Sequence, residues 1–82
     1  MSIASGLIGL AVPIDSLHQL PGNPRRGDVD AVAASLERFG QRKPIVVDDD
    51  GTIIAGNHTW AAARQLGWDE IAAVRVSDDP AT

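Results

Sequence analysis

The sequence predicts an α+β domain, a small mixed β-sheet of about four strands with two main helices, and three observations carry that prediction. Val29, Val32, Leu36 and Phe39 recur at helical spacing. Two short β-branched runs, 45–47 and 52–55, flank the turn sequence Asp48-Asp49-Asp50-Gly51. An alanine-rich stretch then follows Gly56 and closes at Gly67, giving a second helix over about 58–66.

Taken in order, Met1 to Gly6 reads as a loose end. Leu7 to Ile14 is apolar with a late Pro13, which suits an edge strand because proline cannot donate to a ladder. Ser16 to Gly27 holds two prolines and two glycines and reads as a loop. Asp28 can cap the helix 29–39, and Gly40 follows its last periodic residue. Pro44 opens the strand 45–47, and a four-residue connection leads into 52–55 as a hairpin. Gly56-Asn57 ends that strand and opens the second helix. Trp68 sits where the residue after a glycine cap folds back onto its helix. Ile71 to Val76 makes a last strand, and Ser77 to Thr82 is a polar tail. No internal repeat or linker is visible.

Eighty-two residues suit one domain, 1–82, with a core over about 10–76. A composition of 44% hydrophobic and 22% charged residues is that of a folded chain. The lack of cysteine removes disulfides, thiolate zinc sites and cysteine nucleophiles. The longest apolar run is too short to span a membrane, and the N-terminus lacks the basic start of a signal peptide, so a cytoplasmic location is expected. A formal charge of −4 argues against coating nucleic acid by charge alone. That charge is uneven. Residues 1–43 carry five bases and four acids, whereas 44–82 carry two bases and seven acids. Arg25, Arg26, Arg42 and Lys43 form two pairs flanking the first helix, as solvated helix ends or as a local phosphate site.

Ile53 to Thr59 is the most informative stretch, a strand running into a helix through a glycine. The first N–H groups of a helix lack partners inside it, and the helix dipole adds partial positive charge there. Gly56 would let a ligand approach the backbone, while Asn57, His58 and Thr59 add hydrogen-bonding side chains. Such a junction can cradle a phosphate, and it can equally be a capped helix start. His58 is a surface residue or a catalytic candidate. Asp28 and Asp30 are helix-start carboxylates or a general base. Trp60 is a core anchor or a surface for base stacking. No metal site is expected from the protein's own side chains: His18 is the other histidine, and no carboxylate stands at ligand spacing to either. A calcium loop would need acids at Val46 and Asn57, and a serine triad lacks its serine on a strand–helix elbow.

Together these pieces resemble the ParB/sulfiredoxin-like domain. The resemblance runs through Val12-Pro13-Ile14-Asp15-Ser16-Leu17, Asn23-Pro24-Arg25, Ser35-Leu36 with Phe39-Gly40, and Pro44-Ile45-Val46-Val47. It continues in Asp50-Gly51, Ile53 to Thr59, Ala62-Ala63 and Leu66-Gly67. It implies a nucleotide site in which the helix start after Gly56 holds phosphates, Arg25 contributes to the same pocket, and Gly40 to Pro44 lines the base and sugar side. Sulfiredoxins carry a reactive cysteine after the glycine, followed by histidine and arginine. Here Asn57, His58 and Thr59 stand there, so that reductase chemistry cannot run. Partition proteins of the family place a glutamate and two arginines there and add a helix-turn-helix domain, for which 82 residues leave no room. The Asn-His-Thr version is similar to domains of phage and mobile-element proteins, stand-alone or joined to DNA methyltransferases.

The expectation is therefore a nucleotide-binding module for CTP or ATP with Mg²⁺, in a regulatory or DNA-associated accessory role. Arg25, Arg42, Lys43, Gly56, Asn57, His58 and Thr59 would bind the nucleotide, whose phosphates would hold the cation. DNA or a DNA-modifying protein is the expected partner, with a homodimer as a further possibility and no membrane. Two alternatives stand beside it: a nucleotide hydrolase or phosphotransferase using Asp28, Asp30 or His58, and a nucleotide-free interaction domain.

Overall fold

A computed structural model describes residues 3–19 and 26–76. Its elements run in chain order: a 3₁₀ segment at Ser5–Leu10, strand β1 at Ala11–Pro13, a 3₁₀ turn at Ile14–Ser16, and strand β2 at His18–Gln19. Helix α1 (Arg26–Phe39), β3 (Ile45–Val47), β4 (Thr52–Ala55), helix α2 (Asn57–Gln65) and β5 (Glu70–Arg75) follow. The strands form one mixed sheet in the order β1-β5-β3-β4-β2. β1 and β5 are antiparallel, as are β3 and β4, while β3 with β5 and β2 with β4 are parallel. The α+β class and the two helices match the sequence expectation, and the sheet has five strands rather than four.

The differences have local causes. Leu7 to Ile14 is not one strand, because Gly6 and Gly9 weaken extended structure and the segment coils as 3₁₀ helix up to Leu10. Pro13 ends the ladder, and the next residue, Ile14, turns inward to 3% exposure. β2 lies in the segment read as loop. Two residues show no periodicity, and β4 supplies their order by pairing His18 with Thr52 and Gln19 with Ile53. α1 begins at Arg26, so Asp28 lies within the first turn instead of capping it. A carboxylate there complements the helix dipole equally well.

The core lies under α1 and α2. Val29, Ala33 and Leu36 of α1 and Trp60, Ala62 and Ala63 of α2 pack with Ile45, Val47, Ile53, Ile71 and Ala73 of the sheet. The Trp60 indole donates to the Ile14 carbonyl at 3.0 Å, so this tryptophan is the core anchor of α2 and not a stacking surface. The last residue of the α1 stripe departs from expectation: Phe39 is 56% exposed.

Candidate functional site

The start of α2 is set by a strand that cannot continue. The β3–β4 ladder shifts register between Val46 and Val47, leaving an extra residue on β4 just before Gly56. Bulges of this kind bend a strand and re-aim the chain. Gly56 then takes φ 102, ψ 22 as the N-cap of α2. A Cβ there would overlap the Cγ2 of Ile45 and lie 2.7 Å from its Cβ. The sequence reading left that space to a ligand; the structure gives it to Ile45. Gly56 thus seats the helix start directly on the first residue of β3.

Three donors follow with no acceptor inside the helix. The first intrahelical bond runs from the Trp60 N–H to the Gly56 carbonyl at 2.9 Å, so the N–H groups of Asn57, His58 and Thr59 precede the ladder. No side chain caps them. Among the described residues, Asn57 Oδ1 is the buried side-chain polar atom that lacks a hydrogen-bond partner. Its main-chain carbonyl accepts a long 3.5 Å bond from Gln19 Nε2, bringing β2 to the same corner.

The loop before β3 is fixed by a residue that sequence reasoning missed. Gln41 is 1% exposed, and its amide replaces a strand neighbour for β5. Oε1 accepts from the Ala72 N–H at 2.8 Å, while Nε2 donates to the Ala72 carbonyl at 2.9 Å and to the Lys43 carbonyl at 3.0 Å. A glutamine between a glycine and a basic pair gives no sequence signal of this role. With Gln41 pinned inward, Arg42 and Lys43 stay exposed, and Lys43 stands two residues before the Ile45 that supports Gly56.

The structure places Gly56, Asn57, His58 and Thr59 together at the start of α2, and Arg42 and Lys43 in the exposed loop that leads to Ile45, the residue against which Gly56 packs. Arg25 lies outside the described residues. The two candidate acids separate. Asp28 Oδ2 lies 3.7 Å from His58 Nε2, in an exposed pair at the start of α2. Asp30 accepts a 3.1 Å hydrogen bond from Gln65 Nε2 at the other end of that helix. No group of three or more His, Cys, Asp or Glu side chains that could hold a metal ion occurs among the described residues. Nor, among them, is any helix long and apolar enough to cross a membrane.

A five-stranded mixed sheet whose second helix starts uncapped after a left-handed glycine defines a class of small α+β domains. The chain belongs to the ParB N-terminal domain family, whose model it matches over residues 3–82. It is 31% identical over 68 residues to the Escherichia coli ParB-like nuclease domain-containing protein YnaK, covering 79% of this chain and 78% of that one. It is 28% identical over 74 residues to the nucleoid occlusion protein of Oceanobacillus iheyensis, covering 79% of this chain but 26% of that protein. Among solved structures it is similar to Caulobacter crescentus ParB complexed with CTP-γ-S, at 27% identity and a TM-score of 0.71. That match covers 87% of this chain and 45% of the C-terminally truncated ParB chain in that structure. The chain thus spans about a quarter of the nucleoid occlusion protein.

Proposed function

We propose that this domain binds a nucleoside triphosphate, CTP or ATP, as its Mg²⁺ complex at the start of α2, and serves as a regulatory module of a DNA-associated protein. The carrying observation is the set of uncapped N–H groups of Asn57, His58 and Thr59, joined by an Asn57 Oδ1 that is buried without a partner. Donors aimed outward from a helix start suit phosphate oxygens. The orphan acceptor suits a ligand hydroxyl or amine, so the residues present fit the group. Arg42 and Lys43 would add charge at the rim, and Arg25 remains a proposed member of the same site. The cation would be held by the phosphates. Support for the nucleotide comes from the related ParB, solved with CTP-γ-S. Support for the DNA context comes from that protein's structure on its centromeric parS site, at 25% identity to this chain. A DNA-modifying protein and a second copy of the chain are the proposed partners.

The test is calorimetric titration with CTP, ATP and GTP, with and without Mg²⁺. Binding of CTP or ATP that strengthens with Mg²⁺ is the expected result. Failure of every nucleotide to bind below about millimolar would replace this reading with a nucleotide-free interaction domain.

A second reading has one observation in its favour. The Asp28 carboxylate sits 3.7 Å from the His58 ring at the same helix start, where it could orient a histidine that takes a proton from an attacking water. Hydrolysis assays on the parent and Asp28→Asn test it, and unchanged turnover sinks it.

A further inference from the structure

Outside the α2 corner, one surface combines features that the fold does not need. Phe39 ends the apolar stripe of α1 yet is 56% exposed, and the guanidinium of Arg38 lies over its ring, 5.0 Å from the centroid. Gly40 turns the chain, Gln41 is pinned inward by its three hydrogen bonds, and Arg42 and Lys43 emerge exposed. Phe39 and Lys43 are at most about 14 Å apart along the chain. Between Leu36 and Pro44 stand three cations and a single carboxylate, Glu37, in a protein whose net charge is −4. Among the described residues no carboxylate lies within 4.0 Å of Arg38, Arg42 or Lys43; the ion pairs there join His58 to Asp28 and Arg64 to Asp15. A base in the last helical turn complements the helix dipole, which accounts for Arg38 alone. It explains neither an exposed phenylalanine nor the two cations beyond the helix.

We propose that the last turn of α1 and the loop to β3 dock a single strand of DNA, with a base stacked on Phe39 and phosphates met by Arg38, Arg42 and Lys43. Unpaired bases stack on exposed aromatic rings while cations track the backbone, and this pairing of features is what the patch offers. A duplex keeps its bases stacked on one another and would leave Phe39 unused. An acidic polypeptide would use the cations and ignore the ring. The patch itself asks only for an unpaired strand; DNA is the strand proposed because a solved relative of this chain sits on a DNA site, and RNA is an outcome of the test. Arg42 and Lys43 are shared with the rim of the proposed nucleotide site, whereas Arg38 and Phe39 belong to this patch alone, so the Phe39 variants separate the two readings.

The experiment is fluorescence anisotropy at low ionic strength, using the whole chain and a labelled mixed-sequence DNA strand. The same strand as a duplex, an RNA of the same sequence and polyglutamate as competitor complete the set. Binding to the single strand is expected to exceed that to the duplex. Phe39→Ala is expected to weaken it about tenfold, the effect of losing one stacked base. Phe39→Trp should retain binding, and Phe39→Leu, which keeps bulk without a π-face, should fall with alanine. Arg38→Gln and Arg42→Gln should each reduce the slope of log affinity against log salt by about 0.7. Thermal melts of the Phe39 variants should match the parent, since the ring is mostly outside the core. Absent binding, equal affinity for the duplex, retention by Phe39→Leu, RNA bound tenfold tighter, or polyglutamate competing as well as DNA would each overturn the proposal. Calorimetry on Phe39→Ala separates this site from the other: nucleotide binding should be unchanged whichever way the DNA result falls.

Discussion

The two ends of α2 differ in what they leave unsatisfied. At its C-terminus the chain closes on itself: the Gly67 N–H bonds the Arg64 carbonyl and the Trp68 N–H bonds the Ala63 carbonyl, both at 3.0 Å. That pair of bonds is a Schellman motif, and Trp68 completes it by packing back at 8% exposure. At the N-terminus nothing of the kind happens. Gly56 has no side chain to cap with, three N–H groups precede the ladder, and the Asn57 amide oxygen is buried alone. One end is finished by the protein's own atoms and stabilises the fold. The other presents donors outward, and on our reading a nucleotide finishes it.

The glycines at the two ends give the largest test of this contrast. Both have positive φ, 102° at Gly56 and 81° at Gly67. A Cβ on Gly67 meets nothing within 4 Å, whereas one on Gly56 runs into Ile45. Gly67→Ala should therefore cost only the left-handed backbone penalty, about 1 kcal/mol. Gly56→Ala should cost about 3 kcal/mol, the same penalty plus the displacement of a packed side chain. Denaturant melts of the two variants measure the difference, and adding Ile45→Ala should recover less than it removes because it opens the core. Equal losses for Gly56→Ala and Gly67→Ala would show that Ile45 does not seat the helix start.

The pinned loop before β3 gives the next largest effect. Gln41→Leu conserves bulk but leaves the Ala72 N–H and carbonyl facing an apolar side chain. Each abandoned buried group costs about 1–3 kcal/mol, so urea melts should show a loss of about 2–4 kcal/mol. Gln41→Glu should fall between Gln41→Leu and the parent, since a carboxylate can still accept from Ala72 but cannot donate to it.

These two regions also separate what the sequence could reveal from what it could not. The Gly67-Trp68 closure was readable, because a Schellman motif is made by neighbours within six residues. The α1 stripe was readable through Leu36 for the same reason: helical spacing is local. Gly56 was found, but its partner Ile45 was not, since no local pattern links residues eleven apart across a hairpin. Gln41 and β2 were missed on the same ground, their roles being defined by Ala72 and Thr52 far along the chain. Phe39 fits the periodic pattern and is nevertheless exposed, since helical spacing does not say where the packing partner of a helix ends. The orphaned helix start was legible as a glycine between a strand and a helix; what forms its walls was tertiary information.

Asn57 tests the open end without disturbing the closed one. Its Oδ1 is an acceptor already without a partner, so Asn57→Ala removes no hydrogen bond of that atom and melts should move by less than about 0.5 kcal/mol. On the proposed reading the same change weakens nucleotide binding about tenfold, the worth of one hydrogen bond to a ligand. Stability and binding falling together would mean that the amide serves the fold alone.

The smallest expected effect is the sharpest, because α1 reaches both ends of α2 with two residues of one turn. Asp28 meets His58 at the open end, and Asp30 meets Gln65 near the closed end. Both carboxylates are exposed, so neither Asp28→Asn nor Asp30→Asn should change stability by more than about 0.5 kcal/mol. Their effects on nucleotide binding should differ. A carboxylate beside the helix start repels a phosphate, and removing it at a separation of about 6 Å in water is worth roughly threefold in affinity. Asp28→Asn should then tighten nucleotide binding about threefold at low salt, and Asp30→Asn should leave it unchanged. If instead Asp28→Asn abolished turnover without tightening binding, the pair with His58 would be acting on the chemistry of the bound phosphate, and the hydrolase reading would take over the open end of the helix.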